Sequence, residues 1–236
     1  MHLLAFDTST ERLSIALSST RAGETRLWQH EGPGGAQASS TLIPALNRLL
    51  EEAQLRYEQL DAIAFGQGPG SFTGLRTACS VAQGLGLGAG IPLLPVDTLL
   101  AVAEEARYAQ APQADELDVL ALLDARMDEV YAARYRYTQG QWRRQGDYRL
   151  GRPEDLQTDG ATAAAGNVFA VYAERLQLPP ALPRWPAWPT ASAMLRLAPA
   201  LLAAGAAVPA AQALPLYIRD KVAKTTAERE AEKLHR

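Results

Sequence analysis

Apolar and polar positions alternate along the first thirty residues in the way that β-strands require. Leu3 to Phe6 is an apolar run that ends in a polar turn at 7–10, and Leu13 to Leu17 alternates again. Thr25 to Gln29 shows the same period and supplies a third strand. The chain is therefore predicted to begin with a strand, a turn that carries an acid, and two further strands.

A pattern with helical spacing follows a loop rich in glycine and proline at 32–35. It runs from Ser39 to about Ala53, and Ser39 and Ser40 are candidates for the residue that caps the helix. Pro44 is expected in the first turn, where proline is tolerated. We expect a helix here.

A second helix is predicted between two apolar strands. Ala62 to Gly66 has the pattern of a strand, and the glycine-rich segment 68–76 follows it. A helix from about Gly74 to Leu87 then leads to the strand Leu93 to Val96. Strand, glycine loop, helix and strand form a βαβ unit, which is typical of the α/β class.

The second half of the chain repeats the layout of the first. Leu120 to Asp124 followed by Glu129 to Tyr135 is again a strand, a turn with an acid and a strand. Chance is the alternative, because apolar strands that end in aspartate are common. Further strands are predicted at 141–148 and 162–166, and a long helix at 191–204.

This repeat predicts two related lobes. We expect an N-terminal lobe over residues 1–106 and a C-terminal lobe over residues 107–210. Residues 211–236 are expected to be helical and to pack back on the first lobe.

Composition narrows the class of protein. The 236 residues are 47% hydrophobic, with a formal net charge of −3, and no apolar run reaches the roughly 18 residues that cross a bilayer. A single cysteine, Cys79, excludes an intramolecular disulfide and suits a reducing compartment. We expect a cytoplasmic protein without membrane contact, and the negative charge predicts no direct attraction to nucleic acid.

The glycine-rich segment carries the candidate chemistry for an anion, because N–H groups at the start of a helix lie at the positive end of its dipole. The P-loop and dinucleotide spacings are both absent, and no lysine precedes Lys221. A phosphate site and a tight turn capped by Ser71 or Thr73 stay open as interpretations. The loop residues are Gly68, Gly70, Ser71, Thr73 and Gly74, with Arg76 one turn into the helix.

Two carboxylates lie at corresponding strand ends. Asp7 and Asp124 are placed where a carboxylate can hold a magnesium ion beside nucleotide phosphates, and Thr8, Ser9 and Thr10 offer hydroxyl groups. Ordinary turns use the same residue types, which is the alternative. The three histidines are isolated, so no zinc motif is present. The sequence also contains no G-x-S-x-G motif of a serine nucleophile.

Both predicted helices of the first half have broad apolar or small-residue faces, which lets another helix approach closely. These faces can simply cover one side of the sheet, or they can form an exposed patch for a partner subunit. The candidate interface residues are Leu42, Ile43, Leu46, Leu49, Leu50, Arg76, Ala78, Cys79 and Ala82.

Five segments together resemble the TsaB (YeaZ) family of bacterial tRNA threonylcarbamoyladenosine biosynthesis proteins, in the actin-like ATPase superfamily. They are residues 4–10, 68–76, 95–99, 124–131 and 215–223, and the second and fourth are the most specific. The resemblance implies an α/β fold of the actin-like, ribonuclease H-like type, with two related lobes of mixed sheet flanked by helices.

The resemblance also implies a role without catalysis. Proteins of this family pair with TsaD, the paralogue that transfers threonylcarbamoyl to adenosine 37 of certain tRNAs, and the ATPase TsaE joins the pair. TsaD-like proteins carry an HxxxH metal pair in the helix corresponding to 39–53, where this chain has no histidine. TsaB-like proteins often show His-Ser where this chain has Ala38 and Ser39.

On this basis we expect a scaffold with no catalytic residue, no metal and no cofactor. It would form a heterodimer with TsaD, recruit TsaE, form a homodimer when TsaD is absent, and meet tRNA only indirectly. An active Mg-ATP-dependent phosphotransferase stays open as the alternative, motivated by Asp7, Asp124 and the glycine loop. A metallopeptidase, suggested by older names for this branch of the superfamily, is a third possibility.

Overall fold

The computed structural model describes residues 1–219 and contains two five-stranded sheets. The first sheet consists of β1 His2–Asp7, β2 Arg12–Arg21, β3 Glu24–Pro33, β4 Ala62–Gly68 and β5 Leu93–Asp97. Its order is β3-β2-β1-β4-β5, with β2 antiparallel to β1 and β3, and β4 parallel to β1 and β5. The five strands predicted from the apolar periodicity are all present.

The second sheet has the same plan. It consists of β6 Glu116–Arg126, β7 Glu129–Thr138, β8 Gln141–Gly151, β9 Ala163–Gly166 and β10 Arg184–Pro186. Its order is β10-β9-β6-β7-β8, with an antiparallel meander from β6 to β8 and with β9 parallel to β6. The two sheets confirm the related lobes of mixed sheet, although the sequence pattern did not predict β10.

Five α-helices cover the sheets within residues 1–219. They are α1 Ala38–Glu52, α2 Phe72–Ala89, α3 Thr98–Gln110, α4 Phe169–Tyr172 and α5 Ala191–Ala203. The first two pack on one face of the first sheet, and α5 packs on its opposite face. The second sheet is covered by α3 on one face and by the segment that includes α4 on the other.

Helix packing crosses the lobe boundary predicted between residues 106 and 107. Most of α3 precedes that boundary, yet the helix packs against β6 of the second sheet. The helix α5 follows the boundary and packs against β1 and β2 of the first sheet. Its alanines, among them Ala191 and Ala198, meet a sheet face that also carries small side chains, so the backbones approach closely.

The start of α1 differs from the prediction. Ser39 and Ser40 do not cap the helix, because both lie inside its first turn and donate their hydroxyl hydrogens to the carbonyl oxygens of Ala36 and Gln37. Pro44 lies in the second turn instead of the first. It is exposed there, so its ring faces solvent.

The structure also contains a helix that the sequence pattern did not predict. Asp97 ends β5 and caps α3, accepting hydrogen bonds from the backbone N–H groups of Leu99 and Leu100 at 3.0 and 3.3 Å. Strand and helix meet without an intervening loop.

Residues 213–219 form no helix and lie against the first lobe. The N–H of Leu216 donates to the carbonyl oxygen of Gln67, and Ala213 is fully buried. The helical structure around this part of the chain is a short turn at Ala210–Gln212. The prediction for residues 220–236 lies outside the described residues. Among residues 1–219, no helix is long and apolar enough to span a membrane.

Candidate functional site

Two loops meet at the carboxyl ends of β1 and β4. The turn 7–10 follows β1, and the glycine loop 68–74 follows β4, which is the neighbouring parallel strand. The backbone N–H of Ser71 donates to the carbonyl oxygen of Ser9 at 2.7 Å, and the Thr8 hydroxyl donates to the carbonyl oxygen of Gly74 at 2.7 Å. The two loops are thus hydrogen-bonded to each other.

The glycines of this loop allow the turn after β1 to pack directly against it. A Cβ atom on Gly74 would overlap the carbonyl oxygen of Thr8, and one on Gly70 would lie 2.6 Å from the Cβ of Ser9. Ser71 caps α2 with its side chain, as one of the two open interpretations required. Residues 8 and 9 therefore fill the space directly above Gly70 and Gly74, two of the positions where a phosphate cradle would need room.

Asp7 is buried beneath these loops. One carboxylate oxygen, Oδ1, accepts hydrogen bonds from the N–H and the hydroxyl of Ser9 at 2.8 and 2.6 Å. The other, Oδ2, has no hydrogen-bond partner among the described residues and lies against Gly66. Burial raises the pKa of Asp7 to about 6, since desolvation outweighs the two hydrogen bonds.

Asp124 lies in a different environment, on the wall of the cleft between the lobes. Its Oδ1 accepts hydrogen bonds from the N–H of Arg126 and from the hydroxyl of Tyr172, both at 2.8 Å. Asp7 does not line this cleft, although Ser9 and Thr10 do. The structure does not bring the two predicted carboxylates into one site, because the end of β1 is covered by its own turn.

The interlobe cleft has a volume of about 320 Å³. Its walls come from the turn after β1, the glycine loop, the turn after β6 and residues 216–219. The turn after β6 has three successive residues in the left-handed region, with φ of 60° at Arg126, 56° at Met127 and 59° at Asp128. Such a conformation costs free energy in residues other than glycine.

Most of the predicted interface residues lie in the core of this chain. The buried members are Leu42, Leu46, Leu49, Leu50, Ala78, Cys79 and Ala82. They pack against β1, β2 and β4, so they cannot contact a partner while the fold is intact. The predicted interface is therefore corrected: the apolar stripe is the face that covers the sheet, and of the nine residues only Ile43 and Arg76 are exposed.

Arg76 holds the C-terminal part of the described chain. Its Nε donates to the Tyr217 hydroxyl at 3.1 Å, and its guanidinium lies 3.8 Å from the centre of the Phe72 ring. The Phe72 and Tyr217 rings are themselves in contact, with centroids 5.2 Å apart. This exposed side chain therefore stabilises residues 213–219 against α2.

Sequence reasoning missed the outer face of α2. Its exposed or partly exposed residues are small or polar and recur at helical spacing: Thr73, Thr77, Ser80, Gly84 and Gly88. A Cβ on Gly84 or Gly88 would meet no atom within 4 Å, and Leu87 is 80% exposed beside them. The signal was present as a second small-residue stripe, opposite the one formed by Ala78, Ala82 and Gly86.

No group of three His, Cys, Asp or Glu residues in the described part of the chain is placed to hold a metal ion.

The buried acid Glu104 connects the two lobes. Its carboxylate accepts hydrogen bonds from Arg107, Arg196 and Trp142. These contacts join α3, α5 and β8, and hence both lobes.

Comparison with known proteins gives consistent matches. The family model described as "TsaD: tRNA N6-adenosine threonylcarbamoyltransferase" matches residues 34–161. The tRNA threonylcarbamoyladenosine biosynthesis protein TsaB of Escherichia coli K12 is 32% identical, over 94% of this chain and 96% of the relative. The corresponding Haemophilus influenzae protein is 41% identical over 55% of this chain, a match that spans about half of the relative's length, 51%.

A solved structure has the same fold. "YeaZ from Pseudomonas aeruginosa" superposes with a TM-score of 0.81 at 38% sequence identity, covering 92% of this chain and 99% of that chain.

Proposed function

The chain belongs to the TsaB family of tRNA threonylcarbamoyladenosine biosynthesis proteins, and from that premise we propose that it acts in this pathway as a non-catalytic scaffold. In this role it pairs with a TsaD-type threonylcarbamoyltransferase, activates it, and presents the pair to the ATPase TsaE. Because the pathway acts on tRNA, we place the protein in the cytoplasm as part of this proposal.

The observation that carries this proposal is the closed glycine loop. In an anion site the free N–H groups at a helix start point at the ligand. Here the N–H of Ser71 is used by the carbonyl oxygen of Ser9, and residues 8 and 9 occupy the space above Gly70 and Gly74. A phosphate therefore has no free N–H at Ser71 and no room directly above Gly70 and Gly74.

The partner surface is assigned to the outer face of α2 together with Ile43 of α1. Thr77, Ser80 and Gly84 have small side chains or none, so this face of α2 is free of bulky groups and a helix of a partner can approach it closely. Leu87 and Ile43 are exposed apolar residues on the same pair of helices, and burying the exposed part of each contributes about 1–2 kcal/mol. The same face can form a symmetric homodimer when the transferase is absent.

Substituting Ser80 with glutamate tests this assignment. A charge on this face would be desolvated by the partner, so we expect the heterodimer to weaken about tenfold or more. Ala200→Glu is the matched control, because Ala200 is exposed on α5, away from this face. Static light scattering of each variant mixed with the transferase measures the complex.

Equal pairing by the Ser80→Glu chain and the unchanged chain would remove this surface from consideration. No pairing by the unchanged chain would remove the scaffold role itself. Ala82→Glu is unsuitable for this test, since Ala82 is fully buried and the substitution would disrupt the core.

The phosphotransferase alternative retains one supporting observation, which is the cleft between the lobes with Asp124 on its wall. Its test is calorimetric titration of the isolated chain with Mg-ATP. Saturable binding that is lost in Asp124→Asn would retain this alternative, and no heat of binding would remove it.

A further inference from the structure

The hairpin of β7 and β8 concentrates positive charge in a chain that is acidic overall. Residues 134–152 include six arginines and a single acid, Asp147, whereas the whole chain has a formal net charge of −3. The strand β8 is at the edge of the second sheet, and most of its residues are exposed. The net charge of the chain therefore conceals a local cationic region.

The register of the hairpin places three of these arginines on one face. Arg136 is directly opposite Arg143, and Arg149 is opposite Ala132. Residues paired in this way project from the same side of the sheet, so Arg136, Arg143 and Arg149 form a row of roughly 13 Å. We call these three residues the arginine face.

The opposition of Arg136 and Arg143 is unfavourable on its own. Like charges directly opposite each other across two strands destabilise the pairing. No acid lies between them: the one ion pair of Arg136 is with Glu116 at 3.7 Å, and both side chains are more than half exposed. An anion bound between the two guanidinium groups would relieve this repulsion.

The arginine face is available to a ligand. Arg143 has no side-chain partner among the described residues, and the ion pair of Arg149 with Asp159 is exposed on both sides. Exposed pairs contribute little to stability, so they exchange readily for a stronger anion. Arg134 differs, because it donates two hydrogen bonds to the largely buried carboxylate of Asp118 and is part of the fold.

We propose that the arginine face binds the phosphate backbone of tRNA when this chain is in complex with the transferase. Guanidinium groups match phosphate oxygens in a bidentate geometry, and a row of this length reaches several consecutive phosphates of one strand. The proposal rests on the proposed function, which makes tRNA the substrate of the complex. It departs from the expectation of purely indirect contact, which followed from the charge of the whole chain.

The test compares two double variants of the full-length chain, each in complex with the transferase. Arg136→Gln with Arg143→Gln removes two charges from the arginine face. Arg21→Gln with Arg26→Gln removes two exposed charges from the first sheet and is the matched control. Fluorescence anisotropy with an unmodified tRNA transcript, at several KCl concentrations, measures the affinity.

We expect the first variant to bind tRNA about tenfold more weakly at 0.1 M salt, with a salt dependence smaller by about two released ions. The control should change the affinity less than about twofold. An equal loss of affinity in both variants would show unspecific attraction and would overturn the proposal. Unchanged affinity in both variants would overturn it as well.

Light scattering on the same samples separates this proposal from the proposed function. If the first variant no longer pairs with the transferase, the arginine face belongs to a protein interface and the proposal is overturned. If the unchanged chain does not pair, the scaffold role fails, and anisotropy with the chain alone then decides whether the arginine face binds RNA. In that experiment, weaker RNA binding by the first variant than by the control variant would still support the arginine face as an RNA site.

Discussion

The carbonyl oxygen of Thr8 occupies the position in which a side chain on Gly74 would begin. This contact joins the turn after the first strand to the start of α2, and the hydroxyl of Thr8 adds a hydrogen bond to the carbonyl oxygen of Gly74. The glycine is therefore required for a contact within the chain. The same contact closes the loop that resembles a phosphate site.

Gly74→Ala is expected to destabilise the protein by about 1–3 kcal/mol, because the added methyl group forces two buried backbone segments apart. Gly84→Ala is the matched control on the same helix, where the new Cβ meets no atom within 4 Å. It should stabilise the protein by about 0.5–1 kcal/mol through helix propensity. Urea unfolding of both variants measures the two effects, and equal destabilisation would contradict the close contact.

Much of the fold follows from periodicity, because strands and amphipathic helices bury one regular face. The repeat of β1 and β2 in β6 and β7 was visible for that reason. The helix α3 was missed although Asp97 is a good cap, since the helix follows its strand with no loop to mark the boundary. Helix exchange between the lobes depends on tertiary packing and leaves no local signal.

The site was predicted less well, because hydrophobicity indicates burial without indicating the surface that covers a side chain. Leu42 and Leu46 were assigned to a partner, but they are covered by the chain's own sheet. Asp7 and Asp124 occupy equivalent strand ends, yet one is enclosed by Ser9 and the other lines the cleft. The conformation of the loop after each strand determines whether its aspartate is buried or lines the cleft, and this conformation cannot be read from one sequence.

The buried carboxylate of Glu104 is predicted to stabilise the contact between the lobes. Burial alone would raise the pKa of Glu104, but hydrogen bonds from Arg107, Trp142 and Arg196 more than offset it, so the pKa is lowered. Glu104→Ala would leave these donors partly buried without their acceptor, at a cost of about 3 kcal/mol.

Glu105→Ala is the control for that prediction. Glu105 also binds Arg196, but it is more exposed than Glu104 and should cost about 1 kcal/mol. Thermal unfolding followed by circular dichroism compares the two variants. A loss in Glu105→Ala as large as that in Glu104→Ala would contradict the special contribution of the enclosed Glu104 carboxylate. Because the pKa of Glu104 is lowered on folding, its contribution should be lost as pH falls through that pKa.

The turn after β6 is predicted to be strained at Met127. This residue has φ of 56° and is 62% exposed, so its side chain gains little from packing. Met127→Gly should raise stability by about 0.5 kcal/mol, since glycine adopts this backbone conformation freely but loses more entropy on folding. Met127→Val is the opposing control, because a β-branched residue is disfavoured there and should lower stability. Unfolding in urea measures the stabilities of Met127→Gly, the unchanged chain and Met127→Val, which should decrease in that order.

Asp7 is predicted to make the stability of the protein depend on pH. Its pKa is about 6 in the folded protein, against an ordinary value of 3.8 for aspartate, so the folded state binds the proton more tightly. The stabilisation from this proton is complete below the unfolded pKa and is lost as pH rises through the folded pKa. Two pKa units correspond to about 3 kcal/mol, which should disappear between pH 4 and pH 7.

Asp7→Asn should abolish this dependence, because the amide carries no charge at any of these pH values and its oxygen can still accept the hydrogen bonds from Ser9. The difference in unfolding free energy between the variant and the unchanged chain should therefore move in favour of the variant as pH rises. Asp115→Asn, at an exposed position, controls for other changes in charge. Urea unfolding at pH 4, 5, 6 and 7 gives the difference directly, and a constant value across that range would mean that Asp7 is ionised throughout.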